Sequence, residues 1–265
     1  MMLQTFEEIV KRANTGAIEK NDFTGDDGIL HCGYCGKPKQ KWIHTCGKDF
    51  FVTFICECRA KAGEQQRTAD AKNKQIQARI ADCFGERKMY FRADLEPQSR
   101  IAGFCDKYAS GFTHKSKWLI LFGECGRGKS YRAAQICSKI IHRGYRAKFT
   151  SLAEIERMLW NGDKGEIYNR LNGYDLLVLD DFGAERNTDY IKEIRFNIVD
   201  MRYTSDKPII ITTNVNGVDK SDISDQRVYS RIREKSLNIK VEGEDKRTPT
   251  GFENLEEFET IVQAR

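Results

Sequence analysis

The sequence predicts an α/β fold with a mainly parallel sheet, preceded by a small cysteine-rich module. From residue 117 onward, short apolar runs alternate with amphipathic stretches, which is the pattern of βαβ units. Five of the nine cysteines fall within residues 1–58, beside a cluster of aromatic side chains. We therefore expect a metal-binding module at 1–58, a helical arm at 59–84 and an α/β domain at 85–265. The predicted strands of that domain are Trp118–Phe122, Ala147–Ser151, Leu176–Leu179, Ile209–Thr213 and Leu237–Val241.

Composition and charge exclude several classes of protein. The chain has 265 residues, of which 40% are hydrophobic and 31% are charged, so it contains enough apolar material for a sizeable core. Its longest apolar stretches are too short to span a bilayer, and its first ten residues lack an apolar signal core. We expect a cytoplasmic protein without a membrane partner. The net charge of +5 permits a polyanionic partner but does not require one.

The first module is defined by a C-x-x-C motif and a C-x-C motif. Their four thiols belong to Cys32, Cys35, Cys56 and Cys58. This spacing is typical of a tetrahedral zinc site, and residues 41–44 and 49–54 between the motifs have the composition of two strands. A ribbon this small has too little core to fold without a metal, so we expect a structural zinc ion. His31, His44 and Cys46 are spare ligand types, and free thiols are the alternative.

A polar helix is predicted after the cysteine module. Residues 59–81 are rich in Ala, Gln, Lys, Arg and Glu, all of which favour helix. The apolar face consists mainly of Ile76 and Ile80. A face this narrow indicates a solvated connecting helix, and a partner-binding helix is the alternative.

A glycine-rich loop follows the first strand of the α/β domain and leads into a helical stretch. It reads G-x-x-x-x-G-K-S without departure, with the residues Gly123, Glu124, Cys125, Gly126, Arg127, Gly128, Lys129 and Ser130. In this strand–loop–helix context the motif predicts a phosphate-binding loop. Backbone N–H groups and the helix N-terminus would face the phosphates, and Lys129 would add a positive charge. The Ser130 hydroxyl is a suitable oxygen ligand for Mg²⁺. We interpret Cys125 as a loop residue without a catalytic role, and a reactive thiol at the helix N-terminus is the alternative.

Carboxylates follow the apolar strand Leu176–Leu179. Asp180 and Asp181 come directly after it, at the edge of the sheet where the phosphate-binding loop is expected. We expect Asp180 to hold Mg²⁺, and Asp181 to orient and polarise an attacking water molecule. Glu185 is a second candidate for that role.

Two further motifs are candidates for catalysis. The strand Ile209–Thr213 is followed by Asn214, which could hold the attacking water if this strand lies between the two described above. A turn-forming asparagine is the alternative. Arg227 and Arg231 are four residues apart and share one helix face. From there an arginine can reach the γ-phosphate of a neighbouring subunit, although a basic surface with ordinary ion pairs also fits.

Together these motifs resemble the DnaC/IstB family of AAA+ ATPases over roughly residues 85–245. The most specific stretches are LLVLDDFGAE at 176–185 and R-V-x-x-R-x-R at 227–233, supported by the polar end of the fourth strand. The cysteine ribbon looks like the N-terminal module of some helicase loaders of this family. The resemblance implies an AAA+ P-loop NTPase fold that uses ATP and Mg²⁺. It makes Arg231 the arginine finger and Asn214 sensor 1, and leaves the role of Arg227 open.

The resemblance also implies partners and an activity. It implies slow ATP hydrolysis that depends on self-association, and loading of a DnaB-like replicative hexameric helicase onto single-stranded DNA. The N-terminal module would grip the helicase. About two dozen residues follow Val241, which fits the family's shortened lid. The alternatives are an IstB-type transposition helper, a P-loop small-molecule kinase, and a nucleic-acid-binding zinc adaptor with a degenerate ATPase.

Overall fold

The computed structural model describes residues 17–45, 47–85, 87, 100–185, 188–214 and 226–243. The chain divides into two units, residues 1–74 and residues 75–265, called here the ribbon unit and the α/β unit. The domain limits expected after residues 58 and 84 stay predictions, and the shortened lid lies outside the described residues. None of the described helices is both long and apolar enough to cross a membrane.

The ribbon unit contains two antiparallel strand pairs. The strands are β1 (Phe23–Thr24), β2 (Leu30–His31), β3 (Gln40–Thr45) and β4 (Lys48–Thr53). β1 pairs with β2, and β3 pairs with β4 in a hairpin that places Trp42 opposite Phe51. The centroids of these two rings are 4.8 Å apart. The longer hairpin lies where the sequence predicts two strands, between the two cysteine motifs.

A long helix, α1 (Glu57–Phe84), covers the stretch predicted as helical. Its residues from Ala60 to Gln75 are exposed, as expected from a segment composed of polar helix formers. Within the α/β unit its last turns bury Ile80 and Phe84, and Ile76 is partly buried beside them.

The α/β unit is built on a five-stranded sheet in the order β6-β7-β8-β5-β9. Its elements are α2 (Arg100–Ser110), β5 (Trp118–Phe122), α3 (Lys129–His142), β6 (Ala147–Thr150), α4 (Leu152–Asn161), α5 (Lys164–Asn172), β7 (Leu176–Leu179), α6 (Asp189–Thr204), β8 (Ile209–Thr213), α7 (Gln226–Lys235) and β9 (Ser236–Lys240). Every pairing in this sheet is parallel. The predicted α/β fold is therefore confirmed, and β8 lies between the loop strand β5 and the acidic strand β7, which is the condition set for the role of Asn214.

Both faces of the sheet are covered. Along β5, Leu119 and Leu121 belong to the apolar cluster that includes residues of α2 and α3. Ile120, between them, belongs to the opposite cluster with residues of α4, α6 and α7. Side chains alternate between the two faces of a strand, so a sheet buried on both faces needs continuous apolar strands. In the central strands β5, β7 and β8, polar groups are therefore confined to the strand ends.

A buried arginine joins two of these strands at the end opposite to the acidic residues. Arg202 on α6 is fully buried and donates from Nη1 to the Tyr174 carbonyl at 2.7 Å and from Nη2 to the Pro208 carbonyl at 2.6 Å. Burial lowers its pKa to about 9. Because Tyr174 precedes β7 and Pro208 precedes β8, this contact helps to set the relative position of the two strands.

Candidate nucleotide site and cysteine cluster

The phosphate-binding loop has a backbone path that requires glycine. Gly123, Gly126 and Gly128 have φ values of 143°, 77° and 85°, which side chains disfavour. A Cβ atom on Gly123 would lie 2.5 Å from the Val241 carbonyl oxygen. The loop leads directly into the N-terminus of α3, where backbone N–H groups and the helix dipole favour an anion. This cradle fits a phosphate group.

Lys129 lies inside this loop. Its side chain is nearly buried, and Nζ donates to the carbonyl oxygens of Gly123 at 2.9 Å and Glu124 at 2.7 Å. Arg127 donates from Nε to Glu124 at 3.2 Å and also bonds the Gly243 carbonyl, which ties the loop to the chain after β9. The loop therefore places one positive charge on its inner side. Cys125 is exposed on the loop.

A buried carboxylate faces the end of the loop. Asp180 is 1% exposed and accepts a hydrogen bond from the Thr212 hydroxyl at 2.6 Å through Oδ1. Burial raises the pKa of Asp180, whereas hydrogen bonds from Thr212 and Ser130 act in the opposite direction. The Ser130 hydroxyl and the Asp180 carboxylate are therefore neighbours. Both are hard oxygen donors, and this donor set fits Mg²⁺.

The next residues turn sharply away from β7. Asp181 has a φ of 54°, and its N–H donates to the Thr212 hydroxyl at 2.9 Å. Its side chain is exposed next to the buried Asp180, and Asn214 is exposed at the end of the neighbouring strand β8. The sheet order therefore brings the candidates for water positioning, Asp181 and Asn214, to one edge.

Glu185 is held by the fold. It forms an ion pair of 2.6 Å with Arg195, and the two side chains are 8% and 4% exposed. Its other oxygen accepts from the Gly183 N–H at 2.8 Å. Because both oxygens stabilise the turn after β7, the geometry favours Asp181 over Glu185 for orienting water.

The two arginines of α7 pack on α6. The Arg227 guanidinium carbon lies 4.6 Å from the Phe196 ring centroid, and that of Arg231 lies 5.4 Å from the same centroid. Arg231 also pairs with Asp200 and remains 26% exposed. The arginines share one face, as the spacing predicts. No sequence motif identifies Phe196 and Asp200 as the residues that contact these arginines.

Arg87 is a site residue that the sequence reasoning missed. Its Nη1 donates to Oδ2 of Asp180 at 3.1 Å, and its Nε donates to Glu154 at 2.8 Å. No motif surrounds Arg87. Its partners Ser151 and Glu154 do have a sequence pattern, the capping box at the start of α4. That pattern marks the start of a helix and not a functional site.

In the ribbon unit, the four predicted thiols come together. The sulfur atoms of Cys32, Cys35, Cys56 and Cys58 all lie within 4.8 Å of one another. The separations are 3.6 Å for Cys32–Cys58 and 3.3 Å for Cys35–Cys56, close to the roughly 3.8 Å between thiolates on a tetrahedral zinc ion. A hydrogen bond from the Tyr34 N–H helps to lower the pKa of Cys32 to about 7, whereas burial and the neighbouring thiols raise the pKa of Cys58 to about 12. This donor set fits zinc.

The two spare histidines do not join this cluster. His31 pairs with Asp27 at 3.1 Å, and His44 pairs with Asp49 at 2.7 Å. Cys46 lies outside the described residues. Three of the other cysteines are buried, as expected of small apolar side chains: Cys83, Cys105 and Cys137.

A buried ion pair supports the first cysteine loop. Lys39 and Asp22 pair with side chains that are 1% and 0% exposed. Asp22 also accepts from the Gly33 N–H at 3.2 Å, and Gly33 lies between Cys32 and Cys35. The pair therefore holds the backbone that carries two of the four thiols.

Residues 58–247 match the model of a family described as IstB-like ATP binding protein. The chain is 28% identical over 149 residues to "Replicative helicase loader DnaC" of Escherichia coli K12, covering 54% of this chain and 61% of that protein. It is 25% identical over 253 residues to "Replicative helicase loader DnaI" of Bacillus subtilis 168, covering 83% of this chain and 79% of that protein. The chain thus spans about three fifths of the DnaC relatives that it matches.

A solved structure gives the same architecture. The crystal structure of the DnaC helicase loader superposes with a TM-score of 0.51 at 23% sequence identity, covering 58% of this chain and 99% of that one. At this level of identity the match shows the fold, and the function has to be argued from the site.

Proposed function

The chain belongs to the family of IstB-like ATP binding proteins, and from this premise we propose that it is an ATPase that loads a replicative hexameric helicase onto single-stranded DNA. Its α/β unit has the AAA+ P-loop NTPase fold. The observation that carries the proposal is the sheet order, which brings the ends of β5, β7 and β8 together with their three polar motifs. Relatives along most of the chain are named replicative helicase loaders.

The residues divide the chemistry of ATP hydrolysis among them. The loop N–H groups and Lys129 bind the triphosphate, and Ser130 and Asp180 hold Mg²⁺. Bound Mg²⁺ would neutralise part of the phosphate charge. Asp181 and Asn214 orient the attacking water.

A second subunit is part of this proposal. Arg231 is partly exposed on α7, where it can reach a neighbour's nucleotide and stabilise the charge that develops during phosphoryl transfer. Hydrolysis would then require self-association, which gives an isolated subunit little activity.

The ribbon unit supplies the contact with the helicase in this proposal. Large apolar side chains are exposed on it, including Trp42 at 69% and Ile55 at 59%. Large apolar side chains exposed on one small unit are suited to a protein–protein interface. The ribbon is therefore suited to bind a protein partner, while the α/β unit carries the nucleotide.

The test is co-purification of the full chain with the host's replicative helicase, with and without ATP. Trp42→Ser should weaken this complex by about tenfold or more, since buried aromatic anchors dominate interface energies. Trp160→Ser is the matched control, because Trp160 is also exposed, at 80%, but lies on α4 of the α/β unit. An unmodified chain that binds no helicase in either nucleotide state would exclude the loader function and favour the transposition-helper alternative.

A further inference from the structure

Arg87 forms a four-residue polar cluster at the carboxyl ends of β6 and β7. Each of its three guanidinium nitrogens donates one hydrogen bond. Nε donates to Oε1 of Glu154 at 2.8 Å, Nη1 to Oδ2 of Asp180 at 3.1 Å, and Nη2 to Oγ of Ser151 at 3.1 Å. One cation is therefore shared between two carboxylates.

Glu154 is held in place without Arg87. Its Oε2 accepts from the Thr150 hydroxyl at 2.8 Å and from the Ser151 N–H at 3.3 Å, within the capping box that starts α4. The Ser151 hydroxyl in turn accepts from the Glu154 N–H. Glu154 and Ser151 can therefore hold Arg87 in the same position whether or not Asp180 binds another group.

Asp180 has different constraints. Its side chain is fully buried, Oδ1 accepts from Thr212, and Oδ2 accepts from Arg87. A guanidinium on Oδ2 lowers the negative charge that this carboxylate can offer to another cation. Two cations at one buried carboxylate repel each other, and the repulsion is stronger than it would be in water.

We propose that Arg87 is a positioning residue of the magnesium site, which holds Asp180 while the metal is absent and releases it when Mg²⁺ binds with the nucleotide. Arg87 then stays on Glu154 and Ser151. It prevents the buried Asp180 from remaining an uncompensated charge in the free protein, and it raises the Mg²⁺ concentration that the site needs. This inference rests on the proposed nucleotide function.

The experiment is a Mg²⁺ titration of the binding of a fluorescent ATP analogue to the full chain, together with binding in EDTA. In Arg87→Gln the Mg²⁺ concentration at half-maximal binding should fall by about threefold to fivefold, the effect of losing a partly exposed ion pair. Binding in EDTA should stay the same. Glu154→Gln should have the opposite effect, because Arg87 then pairs with Asp180 alone.

Arg79→Gln is the matched control, since the Arg79 guanidinium bonds the Gly144 carbonyl in the same unit and has no contact with Asp180. A merely structural role for Arg87 would lower the melting temperature and weaken binding equally with and without Mg²⁺.

If Arg87→Gln does not fold, Arg87→Lys keeps the charge with fewer contacts and should give a smaller shift in the same direction. An unchanged or raised Mg²⁺ requirement in the folded variant overturns the role of Arg87. Absence of Mg²⁺-dependent binding in the unmodified chain overturns the nucleotide function instead.

Discussion

The ribbon unit and the α/β unit are stabilised by different means. In the α/β unit, a parallel sheet is buried between two clusters of apolar side chains. In the ribbon unit, the buried residues among those described are Ala17, Cys32, Lys39, Thr53 and Cys56, and the Asp22 side chain is buried with Lys39. Two of these are thiols of the cysteine cluster and one is a charged lysine. Metal ligation by the four thiols would therefore take the place of a hydrophobic core in the smaller unit.

The difference extends to the two surfaces. Among the described residues, most of the exposed large apolar side chains lie on the ribbon, Trp42 and Phe54 among them, and Trp160 and Leu237 are exposed on the α/β unit. A metal-stabilised module can keep such side chains for a partner because its own fold does not need them. We therefore expect treatments that affect the metal and treatments that affect the nucleotide to act on separate units.

Zinc removal should produce the largest effect. Chelation, or Cys56→Ser in the full chain, should unfold the ribbon because structural zinc contributes on the order of 10 kcal/mol to domains of this kind. Hydrogen exchange followed by mass spectrometry should show loss of protection at residues 40–53 and retained protection at residues 118–122. Cys125→Ser, which changes an exposed loop thiol, is the control. A ribbon that stays protected without metal would contradict this comparison.

Lys129→Ala should give the next largest effect, confined to the α/β unit. Charge-assisted hydrogen bonds are worth about 1.5–3 kcal/mol, so nucleotide affinity should fall by about tenfold to hundredfold. Fluorescence titration with an ATP analogue measures this loss, and zinc content should remain one ion per chain. Lys148→Ala is the matched control, because its ammonium bonds the Asp82 carbonyl away from the loop. Equal loss of affinity in both variants would argue against a specific role for Lys129.

Arg231→Ala should give the smallest change in binding and should separate binding from turnover within the α/β unit. Nucleotide affinity should be unchanged, while steady-state ATP hydrolysis by the assembled protein falls by about tenfold or more. Mixing Arg231→Ala with Lys129→Ala should restore activity in part, since each supplies what the other lacks. If mixing restores no activity and Arg231→Ala binds nucleotide more weakly, the proposed action of Arg231 on a neighbouring subunit is contradicted.

Strand positions were predictable where an apolar run ends in chemically distinct residues. β5, β7 and β8 have the predicted ranges. Glycine follows β5, aspartate follows β7, and a polar turn follows β8. β6 ends one residue early, since Ser151 instead caps α4. β9 is shifted by one residue because it starts directly after α7, yet the Val241 N–H still donates to the Phe122 carbonyl at 2.7 Å.

The site was predictable to the extent that it is local in sequence. The phosphate-binding loop, Asp180 and the cysteine motifs each lie in a short segment whose spacing implies its geometry. The pair Glu185–Arg195 and the contact of Arg231 with Asp200 were not predictable, because their partners lie on different elements. The sequence around a charged residue does not indicate which distant residue will be its ion-pair partner.

The amino-acid sequence by itself determined the α/β architecture, the loop motif, the acidic strand end and the spacing of the four thiols. Each of these depends on residues close together in the chain, where backbone periodicity and motif spacing are sufficient. Only the tertiary structure decided which oxygens of Asp180 are already engaged, and that Arg87 is one of the groups that engage them. Arg87 and Asp180 are 93 positions apart, so their contact exists only because the sheet order brings the two segments to one edge.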